Sequence, residues 1–388
     1  MIVIDASPVV HRKAGLGRYT EELIGALLAQ SSEPGAYAAF YHNALDAQPG
    51  KLIQSMHCYI SEQSPYVWRL RALIAQLLNV AQDALFSHLR TNTHDQLPAP
   101  RLFHATEHLL PRFKRIKTVF TLHDVIFRVY PQHHLPMNRI YLTLAMPLFL
   151  RRADAVICVS EHTRRDALSY YRLPPDKLRV IPEGVHPRFR RVHDTLELAR
   201  VRARYRLAER FLLVVSTIEP RKNLPTLFAA FRALHEHNLV DELVVVGKQG
   251  WLHEPIYRAV HEMGLTGLVR FLGFVEDEDL PALYSLAQAF AFPSLYEGFG
   301  LPTLEALACG TPVVASNAAA IPEVVGDAGL LLPPQEVSEW VTALECVCTD
   351  AALRREMQQR GPRRAAQFTW ERAAQATRLV YDTLLATS

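Results

Sequence analysis

The sequence predicts an α/β protein built from two Rossmann-like, doubly wound parallel-sheet domains, and three observations carry that prediction. At 388 residues the chain exceeds what one hydrophobic core usually supports. Its two halves open alike. Ile2–Ile4 reads as a strand, Ala14-Gly15-Leu16-Gly17 as a glycine-bearing loop and Thr20–Leu28 as an amphipathic helix; Phe211–Val215, Ser216–Asn223 and Pro225–Leu234 repeat the plan. The other short apolar runs are rich in Val, Ile and Leu without alternation, as strands buried on both faces of a parallel sheet are.

In chain order those further strands are expected at Thr118–Leu122, Ala155–Val159 and Arg179–Pro182 in the first half. In the second they are Leu243–Val246, Val269–Phe271, Ala289–Phe292, Val313–Ala315 and Leu330–Leu332. Pro225 suits a first helical turn, where its missing N–H has no partner in any case. The periodicity breaks at 183–194, giving expected domains at 1–190 and 191–370, with a last helix in 371–388 that crosses back to the first domain or stays on the second. Within 66–90 a helical stretch aligns Leu70, Leu73, Ile74, Leu77 and Leu78 on one face; core packing is the expectation, with acceptor or membrane contact as the other reading.

Composition excludes several classes. Lys+Arg 42 against Asp+Glu 39 leaves a formal charge of +3, too mild to indicate a nucleic-acid partner. The basic-apolar stretches at 111–117 and 186–191 fit either a solvated loop or contact with an anionic bilayer. Cys58, Cys158, Cys309, Cys346 and Cys348 form no CxxC pair, which indicates reduced thiols. The N-terminus begins directly as a strand, and the longest apolar run, 142–150, is far short of a span. A cytoplasmic protein, with peripheral contact at the inner face of the membrane, is therefore expected. His104, His108, His133 and His134 lack zinc-like spacing, so no metal is expected. Neither a phosphate-binding P-loop nor a G-x-S-x-G elbow occurs.

The residues that carry chemistry gather at strand ends, where open α/β sheets bind ligands. In S-L-Y-E-G-F-G-L-P-T-L-E (294–305), Gly298 and Gly300 allow a tight loop and Pro302 a first helical turn, leaving N–H groups near Gly300 to favour an anion. Glu297 precedes that turn and Glu305 lies one turn inside it; a plain loop acid and a dipole-complementing acid are the bland alternatives. Arg221 and Lys222, in E-P-R-K-N (219–223), can offset a leaving diphosphate. Gly15 and Gly17 fit either close approach to phosphate or sugar, or a plain tight turn. His123 ends the strand V-F-T-L and is followed by Asp124, which favours a pocket over a core histidine.

Taken together these motifs resemble the retaining glycosyltransferases of family four, whose two Rossmann-like domains face a cleft in the fold called GT-B. The likeness is densest from Phe211 to Pro334 and most specific in the Glu-x7-Glu spacing of Glu297 and Glu305. V-V-G-K-Q-G-W (245–251), F-L-G-F-V (271–275), G-T-P-V-V-A-S (310–316), A-G-L-G-R-Y (14–19) and T-L-H-D-V (121–125) support it. The resemblance implies that Glu305 bonds the donor ribose and Glu297 the donor sugar. Phe299, Gly300 and Leu301 would offer backbone amides, and Phe274 and Val275 would hold the base. Arg221 and Lys222 would bind the diphosphate, His123 would lie by the scissile bond, and Gly15 and Gly17 would close on the phosphates. Ser216-Thr217 stands where many relatives carry Gly-Arg, which leaves Arg221 as the second phosphate cation.

The implied activity is transfer of a hexose with retention, from a nucleotide-diphosphate sugar to a glycan or lipid-linked acceptor in polysaccharide assembly. The mannosyltransferase-like branch puts GDP-mannose first as donor and a UDP-sugar second. The nucleotide sugar is a substrate and no cofactor is implied. A nucleotide-sugar epimerase of the same fold, or a non-catalytic nucleotide-sugar-binding protein, is the alternative.

Overall fold

A computed structural model describes residues 1–43, 47–93 and 97–386. They fall into two compact units, the first comprising Met1–Arg128, Pro136–Gly184 and the stretch from Trp370, the second Val129–Leu135 and Val185–Thr369. The change of unit falls at Gly184 and Val185, inside the 183–194 stretch where the periodicity breaks. Val185 donates its N–H to Phe368 O and pairs in parallel with Thr369, so the chain is already part of the second unit there.

Among the described residues the first unit holds an eight-stranded sheet. Its strands are β1 (Ile2–Asp5), β2 (Tyr37–His42), β3 (His57–Ser61), β4 (Arg90–Thr91), β5 (Leu102–Ala105), β6 (Lys117–Leu122), β7 (Ala155–Cys158) and β8 (Leu178–Val180). Their spatial order is β4-β3-β2-β1-β5-β6-β7-β8, parallel except for the β3–β4 pair. Strands β2 to β5 were not anticipated. Tyr37-Ala-Ala-Phe-Tyr-His42 and Leu102-Phe-His-Ala105 contain no Val or Ile, yet both are buried throughout.

Three helices of this unit bear on function: α1 (Ala14–Ala29), α2 (Pro65–Leu77) and α3 (Pro136–Arg152). Helix α1 corrects the expected loop. Gly15 and Gly17 lie in its first turns, and a Cβ on Gly17 would stand 3.0 Å from the Pro8 carbonyl oxygen, so Gly17 serves helix-to-backbone packing. Helix α2 corrects the expected core contact. It buries Trp68, Ala72, Ala75 and Gln76 and leaves Leu70, Ile74, Leu77 and Leu78 exposed. The C-terminal helix Trp370–Ala386 packs on α1, with Tyr381 Oη 2.6 Å from His104 Nδ1.

The second unit holds a six-stranded parallel sheet of β9 (Phe211–Val215), β10 (Glu242–Val246), β11 (Val269–Gly273), β12 (Ala289–Phe292), β13 (Val313–Ser316) and β14 (Leu330–Leu332). Its order is β11-β10-β9-β12-β13-β14. Two of its helices frame the ligand loops, α4 (Leu224–Glu236) and α5 (Leu301–Ala308). Helix α4 begins with Pro225 in its first turn and buries Leu227, Phe228, Phe231 and Leu234 against the sheet. Among the described residues no helix is long and apolar enough to cross a membrane.

Candidate active site

Strand order fixes where each sheet can bind a ligand. In the second unit the chain runs outward from β9 through β10 to β11, then returns to β12 on the other side of β9 and runs through β13 to β14. The crevice therefore opens beyond the carboxyl ends of β9 and β12, the point at which the winding reverses. The loops leaving those two strands are Ser216–Asn223 and Pro293–Gly300.

Backbone and side-chain bonds lock the two loops together. Leu295 N donates to Arg221 O at 2.8 Å. Asn223 adopts a left-handed conformation (φ 54°) and its side-chain amide donates to Pro293 O and Pro334 O. The short 3-10 turn Pro220–Lys222 is thus held so that both cations point at Glu297. Arg221 NH1 lies 2.7 Å from Glu297 Oε2, and Lys222 Nζ 2.5 Å from Oε1. Ser294 donates to the same Oε1 at 2.6 Å, and Arg221 Nε binds Glu219 at 2.5 Å.

Electrostatics follows from that packing. Burial alone would raise the Glu297 carboxyl, but Arg221 and Lys222 outweigh it, and bonds from Lys222 and Ser294 add to them, holding it at about 2. Burial, then the adjacent Arg221 charge, pushes the Lys222 ammonium below its ordinary range, while Glu297 and Glu219 oppose the shift. Two cations and two carboxylates form a self-neutralised set. An ammonium carries three N–H donors, and Glu297 takes one from Lys222.

The other residues expected at the donor lie in the same unit. Gly300, at φ 109°, occupies a conformation that a side chain would strain, and it delivers the chain into α5. Pro302 carries no N–H and Thr303 N donates to Gly300 O at 3.0 Å, so the amides at the start of α5 that can hold a phosphate or hydroxyl oxygen are those of Gly300 and Leu301. Phe299 is buried edge-on against Phe368, so its contribution is limited to the backbone. Glu305 is buried one turn into α5 and accepts from Tyr284 Oη at 2.9 Å. Val275 is buried, whereas the Phe274 ring is 74 % exposed and open to stacking.

His123 belongs to the first unit. Its Nε2 donates to Thr106 O at 2.9 Å and its Nδ1 lies 3.5 Å from Glu183 Oε1, so both ring nitrogens have partners and the ring is fixed. Tyr19 meets it edge-on at 4.7 Å. Glu183 was not anticipated; its one signal in the sequence is a carboxylate soon after the end of β8.

The first unit has its own winding reversal, between β1 and β5. Asp5 ends β1, and Thr106, Glu107 and His108 follow β5. Thr106 Oγ1 donates to Asp5 O at 2.5 Å, and Lys13 forms an ion pair with Glu107. Burial, then repulsion from Glu107, raises the Asp5 carboxyl to about 7. Burial opposes ionisation of Glu107 as well, but Lys13 more than offsets it and the net shift is downward. Burial holds His108 and His42 at about 4, hence neutral near pH 7. Among the described residues, Asp5 Oδ2, Ser7 Oγ, His42 Nδ1 and His108 Nδ1 are buried without a hydrogen-bond partner. That is a concentration of unmet polar capacity suited to a ligand rich in hydroxyl groups.

Comparison with known proteins gives the family and the fold. Residues 14–189 match the family described as Glycosyltransferase Family 4, and residues 199–364 the one described as Glycosyl transferases group 1. The chain is 32% identical over 394 residues to the O-antigen chain mannosyltransferase B of Escherichia coli, covering 99% of this chain and 100% of that protein. Among solved structures it is similar to sucrose-phosphate synthase from Thermosynechococcus elongatus, with a TM-score of 0.77 and 24% identity over 100% of this chain and 99% of the other. It is also similar to Anabaena HepE in complex with UDP-glucose, with a TM-score of 0.71 and 19% identity over 98% and 99% of the two chains. With its two parallel-sheet units of GT-B type, the chain belongs to glycosyltransferase family 4.

Proposed function

We propose that this glycosyltransferase is a mannosyltransferase that moves mannose from GDP-mannose, with retention, to a glycan or lipid-linked acceptor in polysaccharide assembly. The observation that carries the reading is the convergence of Arg221 and Lys222 on Glu297 at the winding reversal of the second sheet. The likeness over its full length to an O-antigen chain mannosyltransferase supports mannose over other hexoses.

In this reading the leaving diphosphate takes the remaining Lys222 donors and feels the positive charge of Arg221, whose Nε and Nη1 are held by Glu219, Tyr296 O and Glu297, with the amides of Gly300 and Leu301 on the phosphate or sugar oxygens. Fixed charges of this kind stabilise the negative charge that builds as the glycosidic bond to phosphate breaks. Glu297 has a second duty. By gripping both cations it orients them before the donor arrives, so little reorganisation is left for the reaction. Glu305 holds the ribose, and Phe274 and Val275 hold the base. From the first unit we assign His123 to the sugar being transferred, and Asp5, Glu107 and the neutral His108 to acceptor hydroxyls. Gly15 keeps a part only through its N–H in the first turn of α1, whereas the Gly17 N–H is taken by Lys13 O and Gly17 acts through packing alone.

A melting screen with GDP-mannose, GDP-glucose, UDP-glucose and UDP-N-acetylglucosamine tests the donor, because a ligand of the native state raises the midpoint. The largest rise is expected with GDP-mannose. Stabilisation by UDP-sugars alone would remove GDP-mannose. Incubation with donor and no acceptor separates the epimerase reading, since an altered free sugar nucleotide would replace transfer as the activity.

A further inference from the structure

Helix α2 wears its apolar side outward. Tyr66, Leu70, Ile74 and Leu77 are 81, 58, 44 and 61 % exposed, while Trp68, Ala72, Ala75 and Gln76 fill the protein side. With roughly 100° per residue, the exposed four fall in one arc, and Arg69 and Arg71 stand at its two edges. Helix α3 repeats the arrangement with Met137, Ile140 and Leu144 exposed on one stripe that ends at Arg151. Single exposed apolar residues need no explanation, but two adjoining stripes on packed helices do.

The two helices touch and their rim is basic. Helices α2 and α3 pack on each other, and the Arg69 guanidinium lies over the Tyr141 ring, 5.6 Å from its centroid, where their flanks join. At the far end of α2, Asn79 accepts from Arg112 Nε at 3.1 Å and from Arg152 NH1 at 2.9 Å. Asp83 is turned to the backbone N–H groups of Lys114 and Arg115, whose side chains stand exposed. Residues 63–82 and 136–152 contain neither Asp nor Glu.

We propose that α2 and α3 form a docking face for an anionic lipid bilayer. Tyr66, Leu70, Ile74, Leu77, Met137 and Ile140 enter the boundary between headgroups and acyl chains, and the basic rim meets lipid phosphates. Charge complementarity selects this occupant. An acyl layer asks only for apolar area with a cationic border, and arginine stems can lie along that area with their heads at the phosphates. The proposal is independent of the donor and of the transfer reaction.

Flotation of the full chain with phosphatidylcholine vesicles, and with vesicles containing phosphatidylglycerol, tests it. Binding is expected with the anionic vesicles and should weaken with salt. The double variant Leu70→Asn, Ile74→Asn should bind about tenfold more weakly, and Arg71→Glu or Lys114→Glu about fivefold each. Melting midpoints and transfer to a soluble acceptor should be unchanged, which separates loss of docking from loss of fold. No binding to anionic vesicles, equal binding to both kinds, or undiminished binding by the variants overturns the proposal. A dimer that the double variant abolishes would assign the face to a second copy, and would overturn it equally.

Discussion

Glu297 and Asp5 both stand where the winding of a sheet reverses, one in the loop after β12 and the other at the end of β1, and both are buried. Their environments nevertheless drive them in opposite directions. Glu297 lies between two cations and is held at about 2; Asp5 shares its surroundings with Glu107 and rises to about 7. A winding reversal therefore supports two kinds of chemistry. One is charge-saturated and suited to a diphosphate. The other is a carboxyl and imidazole cluster suited to neutral hydroxyl groups. Topology sets where a ligand binds, and the local charge count sets which one.

The largest test of this contrast removes a cation from the saturated side. Lys222→Ala should lower kcat by about 10²–10³ with a soluble acceptor, if the ammonium stabilises the departing diphosphate. Wild-type turnover in a folded variant would take Lys222 out of the reaction. Next in size is Glu305→Ala, expected to weaken donor binding by about 10- to 100-fold, the loss of one charge-assisted bond. Calorimetric titration checks this, and unchanged affinity would sink the ribose role.

Smaller in effect, but closest to the comparison, is the pH dependence of stability. Asp5 has a folded value of about 7 against an ordinary 3.8, so the folded state keeps a proton that the unfolded state has lost between those values. Its contribution to stability is complete below pH 3.8 and declines as pH rises through about 7. Glu297, at about 2 against an ordinary 4.5, behaves oppositely: its contribution is complete above pH 4.5 and is lost as pH falls toward 2. Asp5→Asn should therefore fare better relative to wild type at pH 8 than at pH 4.5 in urea unfolding. A difference independent of pH would break the contrast.

How far each site was legible in the sequence follows the same division. Glu219–Asn223 and the 294–305 stretch are short runs beside strong Val-, Leu- and Phe-rich strands, and the residues proposed for the donor can be picked out from them directly. What could not be read was their mutual grip, since no spacing shows that Lys222 and Glu297, 75 residues apart, bond each other. The other cluster draws on Asp5, Lys13, Glu107 and His108, with Glu183 beside His123. Its position depends on β5, whose Leu-Phe-His-Ala sequence does not look like a strand. Without β5 the winding reversal of the first sheet is invisible. Helix α2 teaches a different limit. Periodicity showed that one face is apolar but not which way it points, and Ala72, Ala75 and Trp68 were sufficient to seat the opposite face.

The ion cluster around Glu297 has a consequence for life among competing anions. Exposed cations beside a helix N-terminus would hold any inorganic phosphate or free nucleotide that drifted past. Here the positive charge is already answered by Glu297 and Glu219, so a simple anion finds little net attraction. In the proposed donor mode, a molecule that also engages Glu305, the helix amides and the segment at Val275 would open the cluster. The loop would then act as a filter that rejects fragments of the donor and admits the whole.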